Sequence, residues 1–152
     1  MRALEIRRHA RRDPAADRLS PEGRAQAEDV GRSLAGPYAV IFVSPARRAA
    51  ETVAWFLRGM AGQLPDHEVV PGLSGADTDG TPEGLSAVVR ELLGRVPDGG
   101  RGLAVGHTPL IERAVVGLTG IEFGHLAECE GVLLTLADDG TLRVEELRIG
   151  SA

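Results

Sequence analysis

Short apolar segments that resemble β-strands alternate with segments of helical periodicity along this chain of 152 residues. The alternation predicts a mostly parallel sheet covered by helices, because parallel strands need crossover connections. Three of the strand-like segments, at residues 4–6, 39–43 and 103–105, run directly into short polar sequences. Ligands bind to open α/β sheets at the carboxyl ends of the strands. We therefore expect these polar sequences to form one site.

The predicted elements follow from local signals. Ser20-Pro21 and Thr81-Pro82 each combine a helix N-cap with a proline at the first helical position. Gly120 marks a helix end, and residues 138–141 mark a hairpin. Strands are predicted at roughly residues 2–7, 39–44, 68–70, 102–106, 131–137 and 142–149, and helices at roughly 20–35, 46–60, from 81 onward and 109–119. The expected fold is a three-layer α/β/α sandwich with a mostly parallel sheet, as a single domain over residues 1–152.

Composition and charge exclude several classes of function. The formal net charge is −5, which argues against general nucleic-acid binding. No apolar run has the length of a membrane span, and residues 1–5 lack the apolar stretch of a signal peptide. A single cysteine, Cys129, allows neither an internal disulfide nor a cysteine-rich metal site. We expect a soluble cytoplasmic protein, monomeric by default.

The residues at the predicted strand ends suit phosphoryl transfer. Arg8-His9 follows the first strand, Arg48 lies in the first turn of the second helix, and His107 ends the fourth strand. A neutral imidazole such as His9 can attack phosphorus and carry the phosphoryl group covalently. Arginine supplies a planar fork of donors to phosphate oxygens, and a helix N-terminus favours an anion. A protonated His107 could neutralise charge on the transferring group.

Each of these segments also has a simpler explanation when taken alone. Thr108 could merely cap a helix, and Arg48 could be a solvated residue at a helix start. His67 and His125 lie in polar stretches and are expected to face solvent. A metal site at His9 and His107 lacks a carboxylate at a ligand-like spacing, so we expect no metal and no cofactor. The ordered occurrence at three successive strand ends favours a phosphate site.

Four segments together resemble a known family. They are Arg8-His9-Ala10, Leu19-Ser20-Pro21-Glu22-Gly23, the stretch from Ser44 to Thr52, and Gly106-His107. This pattern is similar to that of the histidine phosphatase superfamily, which includes the cofactor-dependent phosphoglycerate mutases, and the match covers roughly residues 1–120. The resemblance implies a phosphoglycerate mutase-like fold, with His9 as the phosphorylated nucleophile. It also implies that Arg8, Arg48 and His107 form the phosphate pocket.

Departures from the family pattern indicate a sub-branch. Ala10 and the Gly-His-Thr-Pro sequence at 106–109 resemble the small SixA-type phosphohistidine phosphatases. Mutase-like members have a glutamate acid after the third strand, where this chain has none. Asp77, Asp79 and Glu83, in or just after the polar segment 74–81 that is expected to lie over the site, are candidate general acids. Without a strong acid, the chain suits a phosphoramidate, because an imidazole leaves more readily than an alkoxide.

Three functions remain open at this stage. The first is a metal-independent phosphatase that acts through phospho-His9 on phosphohistidine in a protein. The second is a phosphomonoesterase for a small phosphorylated metabolite such as a sugar or nucleotide phosphate, which requires one of the loop acids to act. The third is a catalytically silent module that binds phosphate or a phosphoprotein. The expected partner is thus a phosphorylated protein or metabolite, with no nucleic acid and no membrane.

Overall fold

The structure is a computed structural model that describes residues 1–61 and 65–150. Strands and helices alternate over most of the chain, with a β-hairpin at its end. The strands are β1 (Arg2–Arg8), β2 (Val40–Val43), β3 (His67–Val69), β4 (Arg101–Gly106), β5 (Gly131–Leu136) and β6 (Leu142–Leu147). The helices are α1 (Pro21–Ser33), α2 (Arg47–Met60), α3 (Pro82–Arg95) and α4 (Leu110–Thr119), with a 3₁₀ helix at Pro71–Ser74.

The six strands form one sheet in the order β3-β2-β4-β1-β5-β6. The first four strands in this order are parallel to one another, and β5 and β6 are antiparallel. β1 and β4 lie side by side near the centre, with Arg8 opposite Gly106 at their carboxyl ends. This mostly parallel sheet confirms the predicted fold class.

Helices cover both faces of the sheet. On one face, Ile41, Val43, Leu103 and Val105 pack with residues of α1 and α2. On the other face, a second cluster joins the opposite side chains of the same strands to residues of α3 and α4. Side chains alternate between the faces of a strand, so β2 and β4 contribute to both cores and are apolar throughout their buried parts. The result is the three-layer α/β/α arrangement.

The helices begin where the sequence predicted. The Ser20 side chain accepts a hydrogen bond from the Gly23 amide, and the Thr81 side chain accepts one from the Gly84 amide. The segment 74–81, predicted to be a loop, starts in the 3₁₀ helix and continues through turns in which the Thr78 side chain is buried. None of the helices within the described residues is long and apolar enough to cross a membrane.

Candidate active site

The three polar sequences singled out at strand ends meet at one edge of the sheet. Beyond the ends of β1 and β2, the His9 amide donates to the Gly106 carbonyl (3.1 Å) and the Ser44 amide donates to the Val105 carbonyl (3.0 Å). The pairing of the strands thus extends into the site and fixes its backbone. His9, His107 and Arg48 lie in mutual contact there, and Arg8 ends the strand that leads to His9.

His9 is held in one tautomer. Its Nδ1 donates to the Ala10 carbonyl (2.7 Å), which leaves a lone pair on Nε2, and the Arg48 Nε–H points to that nitrogen at 3.3 Å. Burial lowers the pKa of His9; the Ala10 hydrogen bond opposes this shift, and the nearby charge of Arg48 adds to it. A buried, neutral imidazole with a directed lone pair has the form that a nucleophile requires.

Arg48 connects the parts of the pocket. Its Nε contacts His9, its Nη2 lies 3.3 Å from His107 Nδ1, and its Nη1 donates to Asp17 at 2.9 Å. Ala46, the N-cap of α2, makes no side-chain cap, and Asp17 instead accepts the amides of Arg47 (2.9 Å) and Arg48 (3.1 Å). Partial burial tends to raise the pKa of Asp17, but these amides and the Arg48 guanidinium lower it to about 2. Asp17 therefore stays ionised and orients the arginine.

His107 is neutral in the unliganded pocket. Its Nδ1 faces the Arg48 guanidinium, so Nε2 carries the proton and donates to Ser44 Oγ at 2.6 Å. Burial, followed by the charge of Arg48, lowers the pKa of His107 to about 4. The sequence analysis considered a protonated His107. That form requires a bound anion, because a nearby negative charge stabilises the imidazolium.

Arg8 borders the pocket from the end of β1. Its Nη1 donates to the Leu126 carbonyl at 2.8 Å and lies 3.9 Å from a Glu128 carboxylate oxygen. Its Nε is buried and has no hydrogen-bond partner among the described residues. Buried polar groups in native structures are nearly always paired, and a guanidinium nitrogen left over at a pocket fits an anion that arrives with substrate.

The three candidate general acids are not bonded to these residues. Asp77, Asp79 and Glu83 are exposed, and within the described part of the chain no hydrogen bond or ion pair joins them to Arg8, His9, Arg48 or His107. Asp77 lines a surface groove with Glu91 and Arg95 at the β3 edge of the sheet. The structure thus brings His9, Arg48 and His107 into contact, with Arg8 at the adjoining end of β1, and bonds none of the predicted acids to them.

Three residues near the pocket were not singled out as site residues from the sequence. Asp17 and Ser44 hold Arg48 and His107, and His125 is exposed as expected but contacts Thr108, the neighbour of His107. Ser44 lies in a matched motif, whereas nothing local distinguishes Asp17 or His125. Across the residues that the structure describes, no group of three or more histidine, cysteine or acidic residues is arranged to hold a metal ion.

Comparisons with known proteins give the family of this chain. Residues 4–86 match the family model of the histidine phosphatase superfamily, branch 1. No curated protein sequence matches the chain significantly.

Similar solved structures span nearly the whole chain. The protein histidine phosphatase SixA, complexed with tungstate, is 25% identical, with 96% of each chain covered and a TM-score of 0.69. Phosphoserine phosphatase from Entamoeba histolytica is 16% identical, covering 99% of this chain and 98% of that one, with a TM-score of 0.78. Phosphoglycerate mutase from Bacillus anthracis str. Sterne is 15% identical over 95% and 92%, with a TM-score of 0.75. The matched family model, which covers more than half of the chain, shows that it belongs to the histidine phosphatase superfamily.

Proposed function

We propose that this protein is a metal-independent phosphatase that forms a covalent phosphohistidine on His9 and acts on phosphohistidine in a protein. The observation that carries the proposal is the state of His9. It is buried and neutral, and its Nε2 lone pair faces the guanidinium of Arg48. A binding module would gain nothing from a histidine held in the tautomer of a nucleophile.

The pocket residues have distinct roles in this reaction. A phosphoryl group entering the pocket takes the place of the Arg48–His9 and Arg48–His107 contacts, and Arg48 and Arg8 then donate to its oxygens. The His9 Nε2 lone pair forms the bond to phosphorus as the bond to the leaving group breaks. Asp17 keeps Arg48 in orientation through both steps. Negative charge on the bound group favours protonation of His107, which then becomes a further cation in the pocket.

The substrate class follows from the leaving group. An alkoxide leaving group must be protonated by an acid, whereas an imidazole leaves readily. Within the described residues, none of the three carboxylates considered as acids is hydrogen-bonded or ion-paired to a pocket residue, which favours a phosphoramidate as substrate. The 25% identity to a protein histidine phosphatase over 96% of both chains supports the same choice.

A small phosphomonoester is the second candidate substrate. The fold is shared with a phosphoserine phosphatase at a TM-score of 0.78, and that enzyme's name specifies a small phosphate ester. This alternative requires a working acid, and replacement of Asp77, Asp79 and Glu83 would reveal one of them.

The test compares wild type with His9→Ala on a phosphohistidine peptide and on para-nitrophenyl phosphate, both with EDTA present. His67→Ala is the matched control, because His67 is an exposed histidine on the edge strand β3. We expect rapid hydrolysis of the peptide, slow hydrolysis of the ester, and neither with His9→Ala. Fast hydrolysis of the ester would favour the phosphomonoesterase, and activity that survives in His9→Ala would overturn the covalent mechanism.

A further inference from the structure

A third histidine lies beside the pocket that contains His9 and His107. His125 lies between α4 and β5, and its Nδ1 is 3.3 Å from Thr108 Oγ1 and 3.5 Å from a Glu112 carboxylate oxygen. Thr108 directly follows His107 in the chain. The residue after His125, Leu126, accepts the hydrogen bond from Arg8. His125 is therefore connected to two pocket residues. Thr108 links it to His107, and Leu126 links it to Arg8.

The hydrogen bonds around His125 determine where its proton lies. The Thr108 hydroxyl donates to Glu112 Oε2, so Thr108 Oγ1 can only accept from His125 Nδ1–H. The neutral imidazole therefore carries its lone pair on Nε2, and this nitrogen has no hydrogen-bond partner among the residues described. A histidine acts as a general base when one ring nitrogen is held by a hydrogen bond and the other has a free lone pair. In His125 the held nitrogen is Nδ1 and the other is Nε2.

Glu112 completes the arrangement. One of its carboxylate oxygens also accepts the Leu126 amide (3.3 Å), and the other is buried without a hydrogen-bond partner in the described part of the chain. This carboxylate therefore holds Thr108 and the Leu126 amide in place on the Nδ1 side of the imidazole. The other charges near His125 are Arg148, which donates to the His125 carbonyl (2.8 Å), and the Arg8–Glu128 pair.

We propose that His125 is the catalytic base of the second half-reaction, in which water hydrolyses phospho-His9. This inference rests on the proposed function, since it concerns the intermediate formed on His9. His125 Nε2 takes a proton from the water as the water oxygen bonds to phosphorus. The bond from phosphorus to His9 Nε2 breaks, and its electron pair returns to that nitrogen. Orthophosphate leaves, His9 is neutral again, and the imidazolium of His125 then gives its proton to solvent.

Glu128 is the rival base. Its carboxylate lies 3.9 Å from Arg8 and is partly exposed. A carboxylate that pairs with a guanidinium has less acceptor capacity free to accept a hydrogen bond from water. His125 has no such competing cation on its ring nitrogens, because the charge nearest to Nδ1 is the carboxylate of Glu112.

The experiment follows the first turnover on dinitrophenyl phosphate, whose leaving group needs no acid. Wild type, His125→Asn, Glu128→Gln and the control His67→Asn are mixed rapidly with substrate and quenched in alkali, in which phosphohistidine is stable. The phosphohistidine on the enzyme is then quantified and identified by its loss in acid. We expect His125→Asn to release one dinitrophenolate per site at the wild-type rate. Its steady-state turnover should then fall roughly 100-fold while the phosphorylated form accumulates.

The outcomes separate the two proposals. A fall in the burst and in the steady state together would assign His125 a structural role and overturn the inference, as would accumulation of phosphoenzyme in Glu128→Gln instead. A full burst in His125→Asn that leaves no phosphate on His9 would overturn the proposed function itself. Unchanged kinetics in His67→Asn shows that loss of an exposed histidine alone has no effect.

Discussion

At the scale of single residues, the pocket depends most on Arg48. Its three nitrogens contact His9, His107 and Asp17, which belong to three separate segments of the chain. Lysine keeps the charge but has one point of donation instead of a planar fork. A substitution at this position therefore tests geometry separately from charge.

We expect Arg48→Lys to bind tungstate roughly 10-fold to 100-fold more weakly than wild type, because the loss of a charge-assisted hydrogen bond costs about 1.5–3 kcal/mol. Arg47→Lys is the matched control, since Arg47 is the exposed neighbour and contacts Asp17 through its backbone amide. Isothermal titration calorimetry gives both affinities. Equal affinities for the two variants would mean that charge alone, and not the fork, holds the anion.

The sequence indicates some of these residues and not others for a physical reason. His9 and His107 follow apolar strands, and the carboxyl ends of parallel strands converge, so their proximity is predictable from local patterns. Asp17 reaches Arg48 across 31 positions, and His125 reaches Thr108 across 17. Those contacts depend on the shapes of the β1–α1 and α4–β5 loops. A periodic sequence pattern does not predict the shape of a loop.

At the scale of elements, the start of α1 positions the loop that carries Asp17. Gly23 lies against this loop, and a Cβ there would come within 1.9 Å of the Arg11 carbonyl oxygen. The Ser20 amide also donates to that carbonyl at 3.0 Å. Gly23 thus allows the backbone of α1 to lie close to the backbone of Arg11. This role is additional to the helix cap that the sequence indicates.

We expect Gly23→Ala to destabilise the protein by roughly 1–3 kcal/mol, because the added methyl forces backbone apart. Tungstate affinity should fall as well, since Asp17 moves with the loop. Gly94→Ala is the matched control in α3, where a Cβ would meet nothing within 4 Å. That variant should gain about 0.5–1 kcal/mol from helix propensity. Urea unfolding measures both changes, and a gain in stability for Gly23→Ala would contradict the close approach.

Element boundaries were predictable to within one or two residues where a local cap sets them. Ser20 and Thr81 start α1 and α3 as expected, and Gly120 ends α4. The polar segment 74–81 was less predictable, because its shape comes from tertiary contacts. Thr78 is buried, and its carbonyl lies against the start of α3, where a Cβ on Gly84 would come within 2.2 Å of it.

At the scale of the whole molecule, the pocket makes folding sensitive to pH. The pKa of His107 is lowered from 6.5 to about 4, chiefly by burial, and the pKa of His9 is lowered for the same main reason. Below pH 6.5 these two histidines therefore bind protons in the unfolded chain but remain neutral in the folded chain. The contribution of the neutral histidines to the free energy of unfolding is therefore fully present above pH 6.5. It is lost as the pH falls toward their pKa in the folded state.

We expect wild type to lose roughly 2 kcal/mol more unfolding free energy than His107→Gln between pH 7 and pH 5, because glutamine does not titrate. Urea unfolding at both pH values, in buffer without phosphate, measures the two slopes. The Asp17 carboxylate does not affect the comparison. Its pKa in the folded state is lowered to about 2, so its contribution to stability is lost only at pH values below this range. Parallel slopes for the two proteins would show that His107 is not the group responsible.

Anion binding should reverse this acid sensitivity. Sulfate remains a dianion between pH 7 and pH 5, and in the pocket it favours the protonated form of His107. The stabilisation that saturating sulfate gives to wild type should therefore grow as the pH falls, and it should grow less in His107→Gln, where His9 is the histidine that remains in contact with Arg48. The same unfolding experiment with added sulfate tests this. A constant effect in wild type would mean that His107 stays neutral beside the anion, and that Arg8 and Arg48 alone carry the positive charge of the pocket.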